Sequence, residues 1–202
     1  MRKIIVQEFI TLDGVMQAPG GPEEDPSENF KFGGWTAPFY SGADAGAAKF
    51  MQKWMQSTDI ILGRKTYDIF SEFWPKHADI WPGIQDVKKY VMSNSLTENK
   101  TDWKNVSFVS SVDDIKKLKD SEGGELRVHG SGNMVQTLLK NDLVDELWLI
   151  TYPITLGSGK RLFGDGTVSA AWKMIDSVVA PNGVIFASYQ RDGDVKTGTV
   201  GE

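Results

Sequence analysis

The chain of 202 residues has no cysteine and two histidines, which excludes disulfides and thiolate metal sites and leaves most zinc sites short of ligands. Its net charge of −5 and pI near 5.1 exclude a general nucleic-acid-binding protein, because such a protein needs a basic face. It has no run of about 18 apolar residues, and Gln7 and Glu8 interrupt its apolar start too early for a signal peptide.

We therefore expect a cytoplasmic protein that binds no nucleic acid and no membrane. We also expect no metal, although the composition leaves a carboxylate site for a harder cation open. The length suits one domain, predicted over residues 1–191, with a flexible tail over residues 192–202.

Strands and helices are predicted to alternate along the chain. Apolar and period-two runs predict strands over residues 3–10, 59–62, 87–92, 106–109, 126–128, 143–151, 172–180 and 184–190. Helical spacing predicts helices over residues 43–56, 111–120 and 133–141, with a short further helix that follows Gly63 and ends at Pro75. Asn182-Gly183 is typical of a hairpin turn. This order predicts an α/β fold with a mixed, mostly parallel sheet and an antiparallel C-terminal hairpin.

The segment over residues 13–42 is rich in glycine, proline and acids. So long a segment without regular structure is rare in a compact domain unless it is a lid or a binding loop. A disordered insert is the alternative, but the segment also contains the aromatic residues Phe30, Phe32, Trp35, Phe39 and Tyr40.

The strand over residues 59–62 ends in a corner that carries positive charge. Gly63, Arg64, Lys65 and Thr66 follow it directly, and a helix begins there. Glycine allows close approach to the backbone, and the exposed amides and dipole of a helix start attract anions. Two cations and a hydroxyl complete a set of donors that suits phosphate. The alternative is a capped helix whose cations face water.

A second corner, His129-Gly130-Ser131-Gly132-Asn133-Met134, has two glycines that let backbone amides approach a pyrophosphate. It is incomplete as a dinucleotide fingerprint, because Val135 replaces the third glycine and Ile150, not an acid, stands about 20 residues further on. His129 is predicted to be a packed or hydrogen-bonded turn residue, or else to flank the cofactor.

Two such corners, together with the polar strand end Ser93-Asn94-Ser95, predict an elongated ligand with several phosphates. Arginine at the first corner favours NADPH over NADH, because it suits a phosphate on the ribose. A serine hydrolase fits poorly, since Ser131 lacks the G-x-S-x-G surroundings and no histidine follows it. The P-loop pattern of NTPases is absent as well.

Four segments resemble the dihydrofolate reductase-like superfamily, and most closely its branch built around the reductase domain of bacterial riboflavin biosynthesis. They are ITLDGVM, LGRKTYDIF, VHGSGNMVQTLL and LVDELWLITYPITLGSGKRLF, and the resemblance extends from the first strand to about Gln190. It implies a three-layer α-β-α fold with a mixed central sheet, and NADPH as the hydride donor. It also allows a homodimer.

The resemblance implies cofactor contacts by position. Residues 63–66 match the motif for the ribose phosphate and pyrophosphate, and residues 130–133 match the turn under the pyrophosphate. Ser93 and Asn94 match the strand end beside the adenosine phosphate, and His129 and Met134 complete the second corner. Residues 13–42 correspond to a mobile loop over the active site. The residues implied to face the nicotinamide are Phe9, Asp13, Gly14 and Met16.

The proton source stays open in this resemblance. Classical dihydrofolate reductases hold the pterin with an acid on the first helix, but Asp44 lies about a turn from that register and also suits an N-terminal cap. Water, Asp44 and Asp13 are therefore all candidates.

Candidate substrate contacts come from two places. Trp35, Phe39 and Tyr40 can stack on a flat heterocycle, and Lys160 and Arg161 can bind an anion. Ordinary packing and a solvated turn are the alternatives.

These residues predict an NADPH-dependent reductase of a small heterocyclic or carbonyl-type substrate, such as a pteridine, a pyrimidine or a riboflavin precursor. The alternatives are an NADP(H)-binding protein or sensor without turnover, a true dihydrofolate reductase, and a flavin- or pterin-dependent protein. The reductase domain of riboflavin biosynthesis is normally fused to a zinc-binding deaminase domain. The 202 residues contain no such domain, so a role in that pathway is left open.

Overall fold

Eight strands form one mixed sheet in the computed structural model, which describes residues 1–41 and 44–201. The strands are β1 (Ile4–Thr11), β2 (Asp59–Gly63), β3 (Lys89–Met92), β4 (Val106–Val109), β5 (Leu126–Val128), β6 (Glu146–Tyr152), β7 (Trp172–Val179) and β8 (Ile185–Arg191). The helices are α1 (Ala45–Trp54), α2 (Arg64–Phe73), α3 (Val112–Asp120) and α4 (Gly132–Lys140). Gly42 and Ala43, which bound the predicted loop and first helix, lie outside the described residues.

The strand order is β4-β3-β2-β5-β1-β6-β8-β7. Neighbouring strands are parallel from β4 to β6, whereas β8 is antiparallel to both β6 and β7. The prediction of a mostly parallel sheet with an antiparallel C-terminal hairpin is therefore confirmed.

Helices cover both faces of this sheet and make three layers. On one face lie α3 and α4, whose Ile115 and Val135 are fully buried with the side chains of β1 and β5. On the other lie α1 and α2, whose Trp54 and Tyr67 are also buried. Among the described residues, no helix is long and apolar enough to cross a membrane.

Two strands, β3 and β6, begin two and three residues later than predicted. Before β3, the N–H groups of Ile84 and Val87 donate to the carbonyls of Trp81 and Gly83 at 3.1 and 3.3 Å, so the chain turns there instead of extending. Before β6, the N–H of Leu143 donates to Leu138 of α4 at 3.0 Å. An apolar run cannot separate residues buried in a turn from residues buried in a strand, which explains both differences.

The segment over residues 13–41, called the lid loop below, is folded against the body of the protein. Short 3-10 helices form at Ser27–Asn29 and Ala37–Phe39. Trp35 is buried and its indole N–H donates to the carbonyl of Gln17 at 2.8 Å. The side-chain amide of Gln17 donates in turn to the carbonyls of Asp25 and Ser27. The described part of this segment thus has a packed structure, unlike a disordered insert.

Candidate active site

The sheet opens at the carboxyl ends of its central strands. β5 ends at Val128, which is paired with Val6, whereas β1 continues to Thr11 beside β6. A cleft of about 1500 Å³ lies over this opening, lined by β1, the lid loop, α1 and the first turns of α2 and α4. Ligands of open α/β sheets bind in crevices of this kind.

The two glycine corners meet in this cleft. The N–H of Gly63 donates to the carbonyl of Gly130 at 3.1 Å, so the turn before α2 and the turn before α4 are joined. A Cβ on Gly63 would lie 3.0 Å from the backbone nitrogen of Ser131, and one on Gly130 would lie 3.0 Å from the Oγ1 of Thr66. Gly130 also has a φ of +88°. Only glycine fits both positions without displacing a neighbour.

The helices that start at these corners differ from the others in their caps. Asp44 caps α1 and Ser111 caps α3 through side-chain hydrogen bonds. In contrast, α2 and α4 follow Gly63 and Ser131 with no side-chain cap. Their first amides are therefore available to a ligand, and the helix dipole favours an anion there.

Cations stand beside the first of these uncapped helix starts. Arg64, Lys65 and Thr66 line the cleft, as do Gly130, Ser131, Gly132 and Asn133 from the second corner. The Nε of Arg64 lies 2.8 and 2.9 Å from the two carboxylate oxygens of Asp68, one helical turn further on. Asp68 thus holds the guanidinium group at the corner while its other nitrogens stay accessible. The structure brings together the residues predicted to bind pyrophosphate and ribose phosphate.

Three of the residues predicted at the strand end and the second corner lie outside the cleft lining. Ser93 and Asn94 follow β3 at the same edge of the sheet, where the Oγ of Ser93 accepts the N–H groups of Ser95 and Leu96. The side chain of Met134 is buried in the core under α4. Only its backbone N–H, in the first turn of α4, remains as a contact for a ligand.

On β1 and the lid loop, Phe9 and Met16 line the cleft, whereas Asp13 and Gly14 do not. The carboxylate of Asp13 accepts the hydroxyl of Thr11 and the N–H groups of Leu156 and Gly157 at 2.5, 3.2 and 2.8 Å. Burial raises the pKa of Asp13, but these hydrogen bonds outweigh it and leave that pKa below its ordinary value. Asp13 is thus an ionised residue that ties two loops together, a position that does not suit a proton donor.

Asp44 also lies away from the cleft. Its carboxylate accepts the N–H of Ala47 at 2.9 Å, which is the N-cap geometry. The side of α1 that lines the cleft is apolar, and its residues there are Ala47, Met51 and Trp54, followed by Met55. The structure thus places Asp44 at the N-cap, the alternative given for it, and the first helix presents no carboxyl group to the cleft.

Of the predicted substrate residues, some line the cleft and one is buried in the core. Phe39 and Tyr40 line the cleft, but Trp35 is in the core, where its ring meets that of Tyr152 edge-on at 5.2 Å. Arg161 lines the cleft and donates from Nε to the carbonyl of Asp13 at 2.9 Å. Trp35 consequently has no face free for a substrate.

Lys160 lines the cleft as well, but its ammonium group is already bound. Its Nζ lies 2.6 Å from the carboxylate of Asp25 and 2.7 Å from the hydroxyl of Ser27, and its backbone N–H donates to Gln17 at 3.0 Å. Burial raises the pKa of Asp25, and the hydrogen bonds from Lys160 and Ser27 outweigh it, so the pKa stays below its usual range. Lys160 therefore ties the lid loop to the segment after β6 and is not a free anion site.

Replacing Lys160 by methionine should open the lid loop more often. Loss of this partly exposed ion pair should lower the free energy of local opening of the loop by about 1 kcal/mol. This change corresponds to roughly fivefold faster cleavage by trypsin at the exposed Lys31 of the loop. Native-state proteolysis followed by mass spectrometry measures this rate. Lys100→Met is the control, because its pair with Glu98 is exposed on both sides. Equal cleavage rates for Lys160→Met and the parent protein would show that Lys160 does not hold the loop in place.

An aromatic compartment of the cleft was not predicted from the sequence. It lies between α1 and the end of α2, where His129 meets the rings of Trp54, Phe70 and Trp81 at 5.0 to 6.5 Å. Burial, with a smaller contribution from Arg127, lowers the pKa of His129 to about 3, so the imidazole is neutral. His129 is a packed turn residue that also lines the cleft. The lining aromatic side chains here are Phe9, Trp54, Phe70, Phe73, Trp74 and Trp81.

Sequence reasoning also missed Glu8, whose side chain lines the cleft with only 7% of its surface exposed. In the sequence, Glu8 shows only as a polar residue within an apolar strand. That interruption was the available signal, since a carboxylate inside a strand is rarely buried without a reason.

The family model of the RibD C-terminal domain matches residues 2–186 of the chain. The chain belongs to this family. RibD C-terminal domains are domains of the reductase type, and the resemblance proposed from the sequence is therefore confirmed.

Two relatives of this RibD C-terminal domain come from Bacillus subtilis strain 168. The uncharacterised protein YyaP is 28% identical over 199 residues, which are 95% of this chain and 96% of YyaP. The uncharacterised protein YwjB is 27% identical over 168 residues, which are 82% of this chain and 85% of YwjB.

Solved structures show the fold of the RibD C-terminal domain. A protein of Shewanella sp. PV-4 provisionally assigned to riboflavin biosynthesis matches with a TM-score of 0.66 and 24% identity over 94% of this chain and 99% of its own. The dihydrofolate reductase of Enterococcus faecalis in complex with NADP(H) and RAB-propyl matches with a TM-score of 0.59 and 17% identity, over 94% and 96%. The three-layer arrangement of one sheet between two layers of helices is thus the dihydrofolate reductase-like fold.

Proposed function

We propose that this protein is an NADPH-dependent reductase that transfers a hydride to a small heterocyclic or carbonyl-type substrate. One observation carries the proposal: two uncapped helix starts, joined by the hydrogen bond from Gly63 to Gly130, face the same cleft as an aromatic compartment. The first feature suits a dinucleotide and the second suits a flat substrate beside it.

In this proposal the chain holds NADPH along the edge of the sheet. The amides of residues 131–134 and the hydroxyl of Thr66 bind the pyrophosphate, and Arg64 and Lys65 bind the phosphate of the ribose. Ser93 and Asn94 lie towards the adenosine end, and Phe9 and Met16 towards the nicotinamide end. When bound, NADPH supplies a hydride, and the protein's part is to place the cofactor and to exclude water.

The aromatic compartment supports a flat substrate such as a pteridine or a pyrimidine. Phe9, Trp54, Phe70 and Phe39 offer aromatic surface around it. Dihydrofolate is a weaker candidate, because the cleft side of α1 is apolar and does not supply the acid that holds a pterin in classical dihydrofolate reductases.

The direct test is a fluorescence titration with NADPH and NADH, followed by a screen of pteridines, pyrimidines and small carbonyl compounds for NADPH consumption. Saturable NADPH binding with consumption supports the reductase. Tight binding without consumption across the screen favours a cofactor-binding protein or sensor instead. A wild-type protein that does not bind NADPH rules the proposal out.

Arg64→Ala should weaken the binding of NADPH far more than the binding of NADH. A charge-assisted hydrogen bond to the ribose phosphate contributes roughly 1.5 to 3 kcal/mol, which is about 10- to 150-fold in affinity. Dissociation constants for both cofactors, measured by quenching of tryptophan fluorescence, give the comparison. Lys116→Ala on α3 is the matched control, since that side chain is distant from the cleft lining. Equal losses of affinity for both cofactors would show that Arg64 does not contact the ribose phosphate.

A further inference from the structure

The carboxyl group of Glu8 is buried in the cleft. Glu8 lies on the part of β1 that continues past the end of β5, and 93% of its surface is covered. Among the described residues, its Oε1 has no hydrogen-bond partner, although it lies 3.5 Å from the place of a Cβ on Gly130. Buried polar atoms are almost always hydrogen-bonded in folded proteins. An unpaired carboxyl oxygen where the two corners meet therefore points to a ligand.

The surroundings of Glu8 favour the protonated form of its carboxyl group. The charged side chains that line the same cleft are Glu23, Glu24, Asp25 and Glu28 of the lid loop, Arg64 and Lys65 of α2, Lys140 of α4, and Lys160, Arg161 and Asp165 after β6, while His129 of the second corner is neutral. Burial, and then the charge of Glu24, raise the pKa of Glu8 well above its ordinary value. Burial raises the pKa of Glu24 too, partly offset by the N–H groups of Gly20 and Gly21. In its protonated form, this carboxyl group can donate a hydrogen bond to a ligand in the cleft.

We propose that Glu8 is the acid that donates the proton accompanying hydride transfer, an inference that rests on the proposed function. The substrate carbon of a C=N or C=O bond accepts the hydride and its two electrons, and the π-bond pair moves to the heteroatom. That heteroatom takes the proton of Glu8, whose O–H bond pair stays on the carboxylate. A proton from water restores the acid before the next turnover, and NADPH leaves as NADP⁺.

Glu8 suits this role better than the two acids singled out from the sequence. Asp13 is ionised and hydrogen-bonded to Thr11 and to the loop at Gly157, and Asp44 caps α1. Neither of them lines the cleft, whereas Glu8 does. The first strand, not the first helix, supplies the acid in this protein.

The first arm of the test needs no substrate and compares Glu8→Gln with the parent protein in urea unfolding from pH 5 to pH 9. Glu8 has an ordinary pKa near 4.5 when unfolded and a raised pKa when folded, so the parent protein loses stability as pH rises between these values. Glutamine cannot ionise. The ratio of the two unfolding constants should therefore change by about tenfold per pH unit in this window and then level off. Glu122→Gln, exposed after α3, should follow the parent protein.

The second arm measures NADPH binding and turnover with the pteridine or pyrimidine for which the parent protein consumes NADPH. Glu8→Gln should bind NADPH within about threefold and react roughly 100- to 10,000-fold more slowly, since general acids contribute that much. The rate of the parent protein should fall as pH rises through the pKa of Glu8. The residual rate of Glu8→Gln should lack this dependence, and Glu8→Asp should recover part of the activity.

The outcomes separate cleanly. A pH-independent stability ratio shows that Glu8 is already ionised and overturns the acid role, as does full turnover by Glu8→Gln. Loss of NADPH binding in Glu8→Gln alone would make Glu8 a cofactor-holding residue and also overturn the acid role. Failure of the parent protein to bind NADPH refutes the proposed function, even where the first arm shows a neutral Glu8.

Discussion

Arg127→Met should lower the free energy of unfolding by roughly 3 to 5 kcal/mol, because it removes a buried cation on which the end of α1 depends. Arg127 is 1% exposed, and its Nη1 donates to the carbonyls of Lys53 and Trp54 at 2.8 and 2.7 Å. It also pairs with Glu125, two residues earlier on the same face of the sheet. Methionine keeps most of the volume but leaves these acceptors without a donor.

Urea denaturation followed by tryptophan fluorescence measures this loss. Arg64→Met is the matched control, since the Arg64–Asp68 pair is exposed and should contribute little. Met51 and Trp54 of α1 line the cleft. Arg127→Met should therefore also weaken the binding of NADPH or substrate at urea concentrations near the variant's midpoint of unfolding. A loss below about 1 kcal/mol would show that α1 ends independently of Arg127.

Gly63→Ala should weaken NADPH binding by about 5- to 150-fold, the effect of roughly 1 to 3 kcal/mol of overpacking. The added Cβ would lie 3.0 Å from the nitrogen and 3.1 Å from the Cβ of Ser131, and closer still to its Oγ. The turn before α4 must then move away from the turn before α2. Since φ at Gly63 is −71°, alanine meets no backbone strain, and contact with Ser131 is the whole cause.

A second substitution tests that cause. Ser131→Gly removes both side-chain atoms from the contact, so the double variant should regain part of the affinity lost by Gly63→Ala. Gly124→Ala is the control, because a Cβ there meets nothing within 4 Å. Additive losses in the double variant would show that the contact between the two turns is not responsible.

The sequence predicts the elements well where local signals are strong. The helix predicted over residues 111–120 is present as α3, and the capping box of Ser111 and Asp114 starts it, since both side chains act within one helical turn. The hairpin at Asn182-Gly183 and both glycine corners have equally local signals, and all are in place. These features fix the fold class and the half of the site proposed to hold phosphates.

The rest of the site depends on contacts between distant parts of the chain. Asp13 is bound by the N–H of Gly157, 144 residues away, and Lys160 by Asp25, 135 residues away. Neither pairing leaves a trace in the local pattern, so both side chains seemed available for chemistry. The aromatic compartment and Glu8 escaped notice for the same reason, because burial without a partner is a property of the folded cleft.

The hydrogen bond between Gly63 and Gly130 separates two properties of the proposed dinucleotide site. These are the binding of the cofactor and the preference between its phosphorylated and unphosphorylated forms. Under the proposed function, this bond fixes the backbone that meets the common portion of either nicotinamide cofactor, while Arg64 and Lys65 lie outside it on solvated side chains. Preference between the phosphorylated and unphosphorylated cofactor is thereby assigned to residues that can be exchanged at little cost to folding. An engineer who wishes to retune this preference should begin with those two positions and leave both glycines untouched.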